Sequence, residues 1–217
     1  MRNEQREYGW TSAHETCAHA YLLPAITRAL PGNGPLRVLD LGCGNGFTAG
    51  YLARLGHQVV GVDAAPDGIE LARAAHPKVR FHVASLYDDG LLGTVGNGYE
   101  VVIASEVIEH LYWPRILLRR AHDALARGGR AVITTPYHGY LKNLALSLLG
   151  AWDGHFHAGW DGGHIKFFSR ATLSALMQEA GFDRLAFCGA GRLPGLWKSM
   201  VISGDKGGES LPAAASR

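Results

Sequence analysis

The apolar run Val38-Leu39-Asp40-Leu41 breaks at once into Gly42-Cys43-Gly44-Asn45-Gly46. Three glycines at alternate positions let the backbone turn sharply and approach a ligand with no Cβ in the way. A second apolar run, Val59-Val60-Gly61-Val62, then closes on Asp63. In an open α/β sheet such a turn follows the first strand. An acid closing the second strand stands where ribose hydroxyls lie. The pattern restricts the chain to a nucleotide-binding type of α/β fold and predicts a nucleoside cofactor. Two plainer readings stand beside this one: Asp63 caps the next helix, and the glycines merely permit tight packing.

Strand and helix patterns alternate from residue 36 to residue 134. The strands fall at 36–41, 58–63, 79–84, 100–104 and 130–134, rich in Val and Ile and apolar on both faces, as buried parallel strands are. Helices fall at 46–55, 65–75 and 115–126, the last ended by Gly128-Gly129. With a C-terminal antiparallel hairpin at 185–189 and 196–203, this predicts a Rossmann-like, doubly wound, mostly parallel seven-stranded sheet in one α/β domain spanning residues 1–203. N-terminal cap helices are expected at 7–30, anchored by Trp10, Tyr21, Leu22, Leu23, Ile26 and Leu30 and broken at Pro24. Residues 137–168 form an insertion, an apolar helix at 140–149 followed by a loop rich in Gly, His and Trp. Ser169 is placed to cap a helix that ends at Gly181. Residues 204–217 are expected to be a disordered tail.

A formal charge of +2 and no Lys/Arg run exclude a phosphate-tracking surface, so nucleic acid is not an expected partner. The apolar segment at 144–152 is too short for a bilayer, and no signal-peptide pattern opens the chain. Cys17, Cys43 and Cys188 are odd in number and lack metal-type spacing, which fits reduced thiols in a cytoplasm. A small-molecule substrate and a monomer or homodimer are expected.

A dinucleotide dehydrogenase wants G-x-G-x-x-G; here the spacing is G-x-G-x-G, and Phe47 stands third after Gly44. Asp40 before the turn offers a carboxylate to an ammonium group. Four segments then occur in order: the run 38–46; Gly61-Val62-Asp63; Ala104-Ser105-Glu106-Val107-Ile108-Glu109-His110-Leu111; and Leu125-Ala126-Arg127-Gly128-Gly129-Arg130. Together they resemble the class I S-adenosylmethionine-dependent methyltransferases, and the Glu-Val-Ile-Glu-His run is similar to the ubiquinone-biosynthesis O-methyltransferases and their small-molecule relatives. The resemblance implies S-adenosylmethionine as cofactor. It would be held by the backbone at Gly42, Gly44 and Gly46, by Asp40 near the ammonium and by Asp63 and Ala64 at the ribose. Ser85 and Leu86 would border the adenine, and Ser105 the methionine portion. Family members often carry an acid at the Ser85 position, so here a hydroxyl or the Leu86 amide would serve. Cys43 reads as a buried spacer.

Methyl transfer from a sulfonium requires a nucleophile held in line with the methyl carbon and, for a hydroxyl, relieved of its proton. Beyond the strand ends stand Ser105, Glu106, Glu109, His110, Tyr137 and His138. If helical, Glu106, Glu109 and His110 share one face, a possible divalent-metal set; the plain reading is loop-stabilising hydrogen bonds. Four of the eleven histidines lie between 138 and 164. Three readings of the segment 152–164 compete. It is a substrate lid, with Trp152, Trp160, His155, Tyr137, His138 and His14 around the acceptor. It is a metal site built from His155, His157 and His164 with Asp153 or Asp161. Or it is a plain packed loop. His164 is the first candidate for the base, followed by His110 and Glu106. Transfer to a hydroxyl leads. N- or C-methylation of an amino sugar or other metabolite, an NAD(P)-dependent oxidoreductase and a non-catalytic cofactor-binding protein are the alternatives.

Overall fold

The computed structural model describes residues 9–156, 159 and 162–207. In chain order, helix α1 (His19–Ala29) leads into β1 (Arg37–Leu41), α2 (Phe47–Arg54), β2 (Gln58–Asp63), α3 (Pro66–Ala75), β3 (Arg80–Val83) and the short α4 (Leu91–Val95). β4 (Tyr99–Ser105), α5 (Pro114–Ala124) and β5 (Leu125–Pro136) follow. Then come α6 (Tyr140–Leu148), the single turn α7 (Trp152–His155), α8 (Arg170–Glu179), and the hairpin β6 (Phe182–Ala190) and β7 (Ser199–Lys206).

The strands lie side by side in the order β3-β2-β1-β4-β5-β7-β6. The first five are parallel, and β7 pairs antiparallel with both β5 and β6. Chain order reverses between β1 and β4, which opens a crevice at their carboxyl ends. Successive side chains of a strand point to opposite faces. Accordingly Leu39, Leu41, Val60, Val62, Val102 and Ile133 join one core with Leu117 and Leu118 of α5 and Leu173 and Met177 of α8. Val38, Val59, Val101, Ile103 and Val132 join the opposite core with Leu22 and Ile26 of α1, Leu52 of α2 and Ile69 of α3. Burial on both faces explains the unbroken apolar reading of these strands, each large side chain contributing about 1.5–3 kcal/mol. The seven-stranded, mostly parallel sheet with its antiparallel end is the architecture the alternation predicts.

Three boundaries differ from expectation. Pro24 lies inside α1 instead of breaking it. Its ring is exposed, while Leu22, Leu23, Ala25 and Ile26 beside it are buried, so the helix persists because core burial outweighs the lost hydrogen bond. α5 stops at Ala124, and Gly128-Gly129 fall inside β5. There the pairing jumps from Tyr99↔Leu125 to Val101↔Arg130, a bulge that the positive φ of Gly128 (73°) permits. β7 runs on through Lys206, so Gly204 and Asp205, expected in a loose tail, are paired strand residues. Residues 208–217 lie outside the described residues.

Candidate active site

The turn after β1 is fixed to the end of β2. The amides of Gly42 and Cys43 both donate to the Val62 carbonyl, at 2.8 and 3.0 Å. Gly42, Gly44 and Gly46 adopt φ of 77°, 51° and 76°. Asp63 accepts from the Gly44 amide through Oδ2 and from the Ala65 amide through Oδ1, each at 2.8 Å. It therefore braces the glycine turn and the entry to α3 at once, while also facing a cavity of about 410 Å³. Asp40 is buried in the same wall, and neither of its carboxylate oxygens has a hydrogen-bond partner among the described residues. Burial, helped by the charge of Asp63, raises its pKa to about 7. Burial first, then the Asp40 and Asp63 charges, pushes the Cys43 thiol well above its usual range, which suits a packing residue and not a nucleophile.

Towards β4 the cavity is bordered by Ser105, Glu106, Val107, His110, Gly162 and His164. Glu106 has a φ of 56°, in the left-handed region, at the point where β4 ends. Its amide donates to the carbonyl and hydroxyl of Thr134. Its carboxylate accepts from the Thr134 hydroxyl at 2.7 Å and the Ser199 hydroxyl at 3.1 Å. Burial lifts its pKa to about 7, offset in part by those two bonds and by the Lys142 charge. Glu106 is thus engaged by Thr134 and Ser199. The expected helical face of Glu106, Glu109 and His110 does not form, since only Ile108–His110 makes a single 3₁₀ turn.

The structure groups Glu109, His110 and His164 instead, with one ligand-type atom from each within 4.8 Å of the others. Glu109 is fully buried; burial and the Glu106 charge raise its pKa well above the carboxylate range, with Thr135 offsetting this only in part. His110 Nδ1 faces the carbonyls of Gly162 and Gly163 at 2.8 and 3.2 Å. Carbonyls only accept, so Nδ1 carries the proton and Nε2 keeps its lone pair. Burial, then the His110, His155 and Lys142 charges, lowers His164 to about 4. Both imidazoles are neutral near pH 7.

The remaining expected residues sit elsewhere. Leu86 packs in the core, and Ser85 closes a turn in which its hydroxyl accepts from the Tyr87 amide; neither borders the cavity, and nor does Ala64. His138, Trp152 and His155 join Phe156 and Phe167 in an aromatic cluster outside the cavity wall, with Trp152 stacked on Phe156 at 5.3 Å. Tyr137 packs on Phe187 and Trp197. His14 contributes its carbonyl, which accepts from the Asn45 amide. His157, Trp160 and Asp161 lie outside the described residues. The wall also holds residues that the sequence does not mark as site residues, among them Trp10, expected only as an apolar anchor, and Thr16, His19, Asn45 and Thr48. An amide-bearing residue inside a glycine turn was the available signal for Asn45.

The comparisons agree with this geometry. Residues 13–186 match the model of the methyltransferase domain. The chain is 35% identical over 173 residues to the ubiquinone biosynthesis O-methyltransferase of Azorhizobium caulinodans, covering 75% of this chain and 66% of that protein. To its counterpart in Ruegeria pomeroyi it is 32% identical, covering 68% and 60%. The chain thus spans about 60–66% of the length of these relatives. Its fold is similar to that of the S-adenosylmethionine-dependent methyltransferase SibL in its apo form, with a TM-score of 0.68 and 25% identity, over 88% of this chain and 55% of that one. A glycine turn braced by an acid at the switch point of a seven-stranded sheet and a family model matched from Ala13 to Ala186 lead to one conclusion: the chain belongs to the methyltransferase domain family.

Proposed function

We propose that the chain transfers a methyl group from S-adenosylmethionine to a hydroxyl of a small biosynthetic metabolite. A phenol or quinol fits better than an aliphatic alcohol, with a glycan precursor as a further acceptor class. One observation carries the reading. A buried carboxylate with no hydrogen-bond partner among the described residues, Asp40, stands beside an acid-braced glycine turn in the same cavity that His110 and His164 border. Asp40 suits the donor's ammonium, because a cation there ends the cost of an unpaired buried carboxylate. Asp63 spends one lone pair of each oxygen on backbone and keeps others for ribose hydroxyls. When bound, the donor supplies a methyl group on sulfonium, an electrophile for an oxygen nucleophile.

Proton removal falls to His164 or His110, both neutral and both on the cavity wall. An imidazole that holds its proton only below about pH 4 is a weak base. It can help a phenol, whose pKa is about 10, far better than an aliphatic alcohol. Gly162 and His164 reach the cavity, which supports the loop they belong to as part of the acceptor's cover. The three cysteines are free thiols, in keeping with a cytoplasmic setting.

A second reading concerns a divalent ion at Glu109, His110 and His164. Neutral imidazoles and a buried carboxylate are a fitting donor set, and an ion there would acidify an acceptor hydroxyl. Calorimetry with S-adenosylhomocysteine tests the donor site; no heat with either donor or product overturns the proposal. Transfer from a labelled donor to catechols but not amines supports O-methylation, and the reverse preference assigns N-methylation. Turnover that survives chelation assigns proton removal to the imidazoles alone, whereas loss restored by magnesium or zinc shows that an ion acidifies the acceptor hydroxyl before its proton leaves to a base or water.

A further inference from the structure

The segment from Trp10 to Ala18 has no regular structure, yet with His19 at the start of α1 it closes one side of the cavity through Trp10, Thr16 and Ala18. The Trp10 indole is wedged between two glycine backbones. A Cβ on Gly44 would lie 2.4 Å from its Cζ2, and one on Gly68 would lie 2.8 Å from its Cδ1. Neither position tolerates a side chain while the indole is seated. The Trp10 amide donates to Asp67 Oδ2 at 2.8 Å, in the first turn of α3. The buried Asn45 side chain donates to the carbonyls of Ser12 and His14 at 3.0 and 3.1 Å, and its Oδ1 accepts from the Phe47 amide. At the far end His19 stacks on Phe47 with ring centroids 4.5 Å apart.

We propose that Trp10 is a donor-binding residue: its indole forms the wall over the ribose side of the site, and the strap 10–16 is held shut by the donor-binding turn itself. The ribose side is assigned because Gly44, against which the ring lies, is the residue whose amide Asp63 holds. The inference rests on the reading of the cavity as a donor site and deepens it. A flat aromatic surface covers a sugar or sulfonium face at little entropic cost. The same residues, Gly44 and Asn45, serve both the ligand and the strap. A bound nucleoside therefore leaves only when the strap lifts.

The test uses the full chain and S-adenosylhomocysteine. Wild type is expected to bind with heat and with a saturable change in tryptophan emission. Trp10→Ala should bind about tenfold more weakly or worse. Trp10→Phe, which keeps an aromatic ring, should bind within a few-fold of wild type while losing most of the emission change. Asn45→Ala should raise the dissociation rate. Gly44→Ala, which drives a methyl group into the seated ring, should match or exceed the loss in Trp10→Ala. Equal affinity in Trp10→Ala, or an undiminished emission change in Trp10→Phe, overturns the inference while leaving the donor reading intact. No binding by wild type overturns both.

Discussion

Asp40 and Glu106 are carboxylates that burial lifts to a pKa of about 7. In the unfolded chain both ionise near pH 4. The folded state therefore holds more protons between those values. The stability this brings is fully present below about pH 4 and is lost as pH rises through about 7. Without ligand, the melting temperature should fall between about pH 5 and pH 8. Asp40→Asn keeps the shape and removes one titration, so it should flatten that fall by several degrees while abolishing S-adenosylhomocysteine binding. Parallel melting curves against pH for the two proteins would show that Asp40 does not titrate in this range. Residue-level chemistry was legible where it depends on local sequence, as with Asp40, Asp63 and the glycines between them. The partners of Glu106 are not legible in the sequence, because its left-handed backbone turns it towards Thr134 and Ser199, far along the chain. The seat of Trp10 is hidden for the same reason, being made of Gly44, Asp67 and Gly68.

Among the elements, parallel strands buried on both faces announce themselves as short apolar runs, and the Ser169 cap shows as a reciprocal pair with Thr172. Boundaries set by tertiary packing do not. Leu125 and Ala126 read as the end of a helix because they are good helix formers, yet Leu125 pairs with Tyr99 across the sheet. Pro24 reads as a break because its intrinsic cost in a helix is about 3 kcal/mol. That cost is still present in α1, compensated by its buried neighbours. Pro24→Ala should restore a backbone donor at an exposed position and stabilise the protein by about 1 kcal/mol or more. A thermal melt checks this, the expected rise being about 2–4 °C for each kcal/mol in a chain of this size. A lower melting temperature would mean that the ring makes a packing contribution its exposure does not suggest.

For the molecule as a whole, the end of β7 closes the structure. Arg130 makes a two-pronged pair with the buried Asp205, at 2.7 and 3.2 Å, and also donates to the Ala29 carbonyl at the end of α1. Lys206 donates to the carbonyls of His122 and Leu125, where α5 passes into β5. These contacts tie the first helix, the sheet and the last strand together, though composition alone marks the segment as a dispensable tail. A chain ending at Ser203 should therefore melt about 5–10 °C below one ending at Gly207, since several charged hydrogen bonds are lost from buried partners. Equal melting temperatures would make the Arg130 pair ornamental. No helix among the described residues is long and apolar enough to cross a membrane.

The bond from Trp10 to Asp67 joins residues 57 positions apart. On the ribosome the indole emerges long before the two glycines that receive it. That wall of the cavity therefore forms only when segments on either side of β1 and β2 have come together, and no short piece of this chain carries it alone.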